Sequence, residues 1–207
     1  MRLFEEELDV TLQGSPKEGA VKFIEHDAQL NGHKASYQPV KLGDRAEPFG
    51  RLFDDFGGST AASTAASITP YGRGRIGAIY FSFGDYYHKA TTVVARKFLN
   101  SLVRELFPEP MVEVAGSESV DVLLTKKGNK DIVHLINTAG QQDNARVQIF
   151  DEIPPVGPLD IVFRLGRNPK RLTLEPGGTD LPFSYEDGVI RLVVPRLDVH
   201  RMIVAEP

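Results

Sequence analysis

Asp131-Ile-Val-His-Leu-Ile136 has the length and apolar content of a β-strand, and seven such runs lie between Pro108 and Pro207. Gly, Asn, Pro and Asp residues separate them at nearly regular intervals. The other six runs are Ser119–Leu124, Ala145–Phe150, Leu159–Arg164, Arg171–Leu174, Val189–Val194 and His200–Val204. Short strands at this spacing are typical of a β-sandwich. We therefore predict an all-β sandwich domain over residues 108–207.

The residues before Pro108 predict a mixture of strand and helix. Ile76–Phe83 is a near-continuous apolar run, which favours a strand buried on both faces in a parallel sheet covered by helices. Thr91–Phe107 has helical periodicity, and Pro108 and Pro110 end that helix. We therefore predict an α+β chain in two parts: a partial α/β, flavodoxin-like segment over residues 1–107 and the sandwich over 108–207.

Two further segments of the first part give local predictions. Asn31-Gly32 lies between two strand-like runs and predicts the turn of a β-hairpin, because both residues tolerate positive φ. Gly57–Ser67 consists almost entirely of small residues and is interpreted as a surface loop.

Composition restricts the classes of partner and compartment. The chain contains no cysteine, which excludes disulfides, thiolate metal sites and a cysteine nucleophile. Residues 1–107 carry 13 basic and 13 acidic side chains, and residues 108–207 carry 11 and 15, so neither part has the positive charge that nucleic acid or an anionic membrane attracts. We expect no nucleic-acid partner and no membrane partner. The acidic start, Glu5-Glu6-Glu7, is unlike a secretory signal, so a soluble, cytoplasmic protein is favoured.

The best candidate for a ligand cleft is Asp85-Tyr86-Tyr87-His88, directly after the predicted buried strand. Open α/β sheets bind ligands at the carboxyl ends of their strands, where this segment would lie. The aromatic rings of Tyr86 and Tyr87 could stack on a sugar ring. Asp85 and His88 could act as the acid and base of a hydrolase.

The remaining polar clusters favour structural roles. The five histidines lack the HxH or HExxH spacing of metal sites, so we expect no metal and no cofactor. His134 and His200 lie inside apolar strands and are interpreted as packed or hydrogen-bonded histidines. Gly72–Arg75 precedes a strand, so it is interpreted as a turn and not as a phosphate loop.

Three segments resemble a known family. Pro70-Tyr-Gly-Arg-Gly-Arg-Ile-Gly-Ala-Ile-Tyr-Phe81 and the helix after it resemble the end of the amidotransferase-like trimerisation domain of large bacterial β-galactosidases and related glycoside hydrolases. Asp131–Asn137 and Val194–Val204 resemble the small β-sandwich that follows that domain. The resemblance extends from Ser67 to Val204.

The resemblance implies a role in carbohydrate processing without a catalytic residue in this chain. The family's catalytic glutamates belong to a (β/α)₈ barrel on the N-terminal side of the matched region, and this chain offers no barrel. We therefore expect a non-catalytic accessory or oligomerisation region. The alternatives are a stand-alone carbohydrate-binding module with a cleft at Tyr86, Tyr87 and His88, and a hydrolase that uses Asp85 and His88. A truncated sheet would leave an unpaired edge, so we also expect a homo-oligomer, either a dimer or a trimer.

Overall fold

A computed structural model describes residues 4–25, 28–53, 61–90, 93–140 and 152–207. The described chain divides into two compact units, Met1–Glu109 and Pro110–Pro207. None of the helices in these ranges has the length and apolar content needed to traverse a bilayer.

The first unit is built from antiparallel strands and three helices. Its pairings are β1 with β4, β2 with β3, and the three-stranded order β5-β6-β7. The elements are α1 (Glu5–Leu8), β1 (Val10–Leu12), β2 (Lys17–Glu25), β3 (Ala28–Tyr37), β4 (Val40–Leu42), β5 (Glu47–Phe53), β6 (Ala61–Tyr71), β7 (Gly74–Ile79), α2 (Phe83–Ala90) and α3 (Val93–Leu106).

The mostly β chain with little helix confirms the α+β class, but the parallel strand predicted at Ile76–Phe83 is wrong. β7 ends at Ile79 and pairs antiparallel with β6, with Tyr71 opposite Gly74. The two-residue connection at Gly72 and Arg73 explains the difference, since so short a link joins only antiparallel neighbours. Gly72 has the positive φ (57°) that such a turn requires.

The three-stranded sheet carries a core on each face. On one face, Phe98 and Leu102 of α3 pack against Leu52, Ala66 and Ile68. α3 comes so close to β7 that a Cβ atom on Gly77 would lie 2.8 Å from Cδ1 of Leu106. On the other face, Leu8, Val10 and Tyr80 form a second buried cluster. The predicted helix is therefore confirmed as α3, with Phe98 and Leu102 on its packed face, whereas Leu99 and Val103 are exposed.

Two local predictions in the first unit are wrong. Asn31 pairs with Lys22 inside the β2–β3 hairpin, and the link between these strands is residues 26–27, outside the described ranges. The supposed loop Gly57–Ser67 becomes part of β6 from Ala61 onward, and Ala66 and Ser67 are fully buried. Residues 57–60 lie outside the described part.

The second unit is an antiparallel β-sandwich, as the strand pattern predicts. Within the described residues, one sheet has five strands in the order β13-β12-β16-β10-β9, and the other has four in the order β14-β15-β11-β8. The predicted strand Ala145–Phe150 falls outside the described residues; the other six predicted runs are strands. The elements are β8 (Val112–Ala115), β9 (Val120–Lys127), β10 (Lys130–Asn137), β11 (Leu159–Arg164), β12 (Arg171–Glu175), β13 (Thr179–Asp180), β14 (Phe183–Glu186), β15 (Val189–Val194) and β16 (His200–Glu206).

Alternation along the strands builds the sandwich core. In β10, Val133 and Leu135 are fully buried. The residues that alternate with them are half-buried on the outer face: Ile132, His134 and Ile136. Phe163 of β11 and Ile190 of β15 pack against the buried pair from the opposite sheet. A period of two places alternate side chains on opposite faces, so the outer residues of β10 form a separate surface.

Candidate functional site

The four residues predicted to form a ligand cleft lie together on α2. Asp85, Tyr87 and His88 are exposed, whereas the side chain of Tyr86 lies outside the described part of the chain. Asp85 and His88 are three residues apart and therefore neighbours on one helical face. The expected carboxyl edge of a parallel sheet does not exist here, because β5, β6 and β7 are antiparallel.

Aromatic packing fixes the start of α2. The Phe83 ring lies 5.9 Å from that of Phe81 and 6.4 Å from that of Phe98, centroid to centroid. Tyr87 lies parallel to Phe83, with centroids 6.1 Å apart, and 45% of its surface remains exposed. The exposed surface of α2 therefore presents an anchored aromatic ring beside a carboxylate and an imidazole.

An apolar groove of about 460 Å³ lies elsewhere in the first unit, between α1 and the β6–β7 hairpin. Phe4 and Tyr71 stand at its rim, 57% and 55% exposed, and Leu8, Ile76 and Ala78 line its floor. Sequence reasoning missed this groove because its walls come from segments that are more than 60 residues apart in sequence.

Several described carboxylates form ion pairs with arginine or lysine side chains. Asp131, buried at the start of β10, accepts from Nη2 of Arg167 over 2.8 Å and lies 3.3 Å from Nζ of Lys126. Burial raises the pKa of Asp131, but the hydrogen bonds and charges of Arg167 and Lys126 outweigh it, so the pKa lies below its usual value. Glu206 has a lowered pKa because Lys130 donates a hydrogen bond to it. These arrangements stabilise carboxylates in their charged form.

A buried hydroxyl pair lies beneath the three-stranded sheet. Ser67 and Tyr80 share a hydrogen bond, and burial raises the pKa of Tyr80 although this bond opposes the shift. Thr69 donates from the same strand face to the backbone carbonyl of Leu8 over 2.8 Å. Both bonds satisfy buried polar groups, and this is a structural role.

Two histidines meet on the outer face of the five-stranded sheet. Nδ1 of His134 lies 3.2 Å from Nε2 of His200, and the two rings are parallel within 7°. Nε2 of His134 lies 2.9 Å from the hydroxyl of Thr125. The predicted hydrogen-bonded role is confirmed. The chain Thr125–His134–His200 was not predicted, because it depends on the register of three strands. Within the described ranges, no group of three or more His, Cys, Asp or Glu residues could hold a metal ion.

Comparison with known proteins gives a fold relationship. No family profile and no curated protein sequence matches the chain. Among solved structures, α-L-fucosidase isoenzyme 2 from Paenibacillus thiaminolyticus is 17% identical, with a TM-score of 0.77 over 96% of this chain and 33% of its own.

Two β-galactosidases show the same relationship at lower similarity. Gan42B, a GH42 β-galactosidase from G. stearothermophilus, is 13% identical, with a TM-score of 0.56 over 100% of this chain and 25% of its own. The β-galactosidase from Bacillus circulans sp. alkalophilus is 10% identical, with a TM-score of 0.52 over 98% of this chain and 25% of its own. The chain thus spans a third or less of each enzyme, and the similarity concerns the fold alone.

Proposed function

We propose that this chain is a non-catalytic accessory and oligomerisation region of a glycoside-hydrolase-like protein, supporting carbohydrate processing that takes place elsewhere. The observation that carries the proposal is coverage: 96% of the chain matches only a third of a fucosidase. A fold that occupies a minor share of three sugar-cleaving enzymes suits a supporting part. The resemblance of Pro70–Phe81 to the end of a trimerisation domain favours the same role.

The chemistry of the described carboxylates also supports this proposal. Glycoside hydrolysis requires two carboxyl groups that face one substrate at about 5–10 Å, one of them with a raised pKa. Asp131 and Glu206 instead have lowered pKa values and are paired with cations. Asp85 lies on the exposed surface of α2 beside His88, a position that does not exclude water from a reacting bond.

The test is a hydrolysis assay of the purified full chain on aryl β-galactosides and aryl α-L-fucosides. We expect no turnover above a buffer blank. Turnover that copurifies with the chain and disappears in Asp85→Asn or His88→Ala, but not in the control Asp44→Asn, would replace this proposal with the hydrolase alternative. Reading the coding sequence upstream of Met1 gives an independent check, since the proposal expects a catalytic barrel to be encoded with or near this chain.

A second candidate is carbohydrate binding on α2, and the exposed ring of Tyr87 favours it. An aromatic ring held parallel by Phe83 offers an open face for a sugar ring to stack on. Calorimetric titration with oligosaccharides of galactose and fucose tests this candidate. Binding should be lost in Tyr86→Ala and Tyr87→Ala and kept in Tyr71→Ala, a matched control because Tyr71 is similarly exposed on another surface. Absence of binding at millimolar sugar would reject the candidate.

A further inference from the structure

The two histidines on the outer face of the sandwich have a geometry beyond a packing role. Their ring centroids are 5.4 Å apart, whereas Nδ1 of His134 and Nε2 of His200 are only 3.2 Å apart. The rings therefore meet by their nitrogen edges and not by their faces. Each nitrogen is the kind of ligand that divalent zinc, copper and nickel prefer. We propose that His134 and His200 together bind one such divalent d-block cation.

The nitrogen separation fits the bite of a tetrahedral ion. With Zn–N bonds of 2.0–2.1 Å, two tetrahedral ligands lie about 3.3–3.4 Å apart. At the observed 3.2 Å the two nitrogens are hydrogen-bonded and their lone-pair axes lie near the N–N line, so each ring must turn by roughly 35–40° for both lone pairs to reach one ion, a movement that the exposed side chain of His200 permits. In the absence of an ion, one of these two nitrogens donates its proton in a hydrogen bond to the other, and the binding of a cation would displace that proton.

Thr125 lies where an orienting group is needed. Its hydroxyl oxygen is 2.9 Å from Nε2 of His134, the ring nitrogen remote from His200. If Nε2–H donates to that hydroxyl, Nδ1 is left unprotonated with its lone pair directed at the site. Hydrogen bonds of this kind fix the tautomer and the ring orientation of metal-binding histidines.

The sheet holds the three residues in fixed register. His134 is opposite Leu123 of β9 on one side and Met202 of β16 on the other. Thr125 is two residues after Leu123, and His200 is two residues before Met202. Because side chains two residues apart in a strand lie on the same face, Thr125, His134 and His200 all project from one face of the sheet. The paired strands therefore fix the backbone positions of the site, and the rings turn when the ion binds.

Charge and ligand number define the kind of ion and its affinity. Asp121 is opposite Ile136, which is also opposite His200, so a carboxylate lies on the same face as the pair, and Lys127, two residues after Thr125, places a cation on that face as well. Within the described residues no third histidine, cysteine or carboxylate joins the pair, so water would fill the remaining positions. We therefore expect an open, exchangeable site that takes imidazole-preferring ions and not Mg²⁺ or Ca²⁺, which prefer oxygen cages.

Titration calorimetry of the tag-free full chain with zinc and copper salts tests the proposal. One ion per chain should bind at this site, and His134→Ala or His200→Ala should weaken binding at least about tenfold, a change of 1.4 kcal/mol. Thr125→Val should weaken it by roughly tenfold, as loss of an orienting group does. His88→Ala removes an exposed histidine of α2 and serves as the control, with unchanged affinity.

A spectroscopic measurement keeps the test independent of variant folding. One equivalent of Cu²⁺ on the wild-type chain should give an electron paramagnetic resonance spectrum with coupling to two nitrogens. A spectrum with oxygen ligands only, no binding by the wild-type chain, or equal affinity in the folded His134→Ala/His200→Ala variant would each overturn the proposal. Circular dichroism establishes that the variant is folded.

Discussion

Half-exposed Arg167 forms an ion pair with nearly buried Asp131 at one end of the sandwich, with Nη2 of the arginine 2.8 Å from Oδ2 of the aspartate. Only 11% of the Asp131 side chain is exposed. The same guanidinium also donates to the backbone carbonyl of Asn129, so it connects the β9–β10 turn to the segment after β11.

Removing the arginine should destabilise the second unit. Arg167→Met leaves the Asp131 carboxylate buried with only Lys126 beside it, and losing a charged hydrogen bond of this kind costs about 1.5–3 kcal/mol. Urea unfolding followed by circular dichroism measures the loss. The control is Arg196→Met, whose pair with Asp198 is exposed on both sides and should contribute at most about 1 kcal/mol. Equal effects in the two variants would show that burial of Asp131 is energetically unimportant.

The lowered pKa of Asp131 predicts an acid-labile component of stability. The unfolded carboxyl takes up its proton near pH 4, at a higher pH than the folded one. Stability from this group is therefore fully present above that pH and is lost as pH falls through the lower folded pKa. Unfolding free energy measured from pH 7 to pH 2 should fall less steeply in Asp131→Asn than in the wild type. Parallel curves for the two proteins would contradict the assigned shift.

Gly116 should tolerate no side chain. Its φ is +103°, and a Cβ atom there would lie 2.3 Å from the carbonyl oxygen of Pro158, a backbone atom that cannot turn away. Backbone strain of about 1–2 kcal/mol and overpacking of about 1–3 kcal/mol should add in Gly116→Ala. Gly166→Ala is the control, because a Cβ atom at Gly166 would meet no other atom within 4 Å and the φ of Gly166 is not positive. Thermal unfolding distinguishes the two, and a change under 1 kcal/mol at Gly116 would be the contrary result.

The predicted dimer or trimer has a candidate surface in the first unit. On α3, Leu99, Val103 and the following Phe107 are exposed at i, i+4 and i+8, beside the stripe that packs on the sheet. In the described part of the chain β7 pairs only with β6, so its other edge is open. Light scattering should give two or three times 22.9 kDa for the wild type. Val103→Glu should shift the mass toward the monomer, and Ser15→Glu, the same neutral-to-acidic change at an exposed loop residue, should not. A wild-type monomer across micromolar concentrations would exclude the oligomer.

The sandwich was predictable because its strands obey a period of two. In β10 and β15 alternate residues are buried; the sequence predicts the strands as short apolar runs between turn residues, whereas the buried face is set by packing, because apolar residues such as Ile132 and Val193 also lie on the outer faces. The first unit was harder because its signals were ambiguous. A continuous apolar run such as Ile76–Phe83 fits a parallel strand, but it also fits β7 followed by Tyr80 and Phe81, which are buried separately.

Two turn or loop predictions from local composition were wrong because tertiary packing extends strands through those segments. Asn31-Gly32 has the composition of a tight turn, yet β3 continues through it: the register shifts there, with Ala20 opposite Lys34 and Lys22 opposite Asn31, so Gly32 lies at an irregularity within the hairpin and not at its turn. The small residues of Ala61–Ser67 look like a loop in sequence, but they allow β6 to lie between two layers. The residues at the candidate site on α2 were identified as neighbours, whereas the histidine pair required the long-range register of β9, β10 and β16.

Both faces of β6 are buried, and its side chains are mostly small, so hydrophobic burial only weakly determines which residues lie on which face of the sheet. Ser67 and Thr69 lie on one face and Ala66 and Ile68 on the other, and all four are buried. In a strand with one polar face, a slip by one residue would expose the apolar side chains and be rejected. In β6 that penalty is weak, so the hydroxyl bonds from Ser67 to Tyr80 and from Thr69 to Leu8 distinguish the correct alignment from its neighbours. A one-residue slip of β6 would leave these hydroxyl groups buried without partners, so the two bonds disfavour the misaligned sheet.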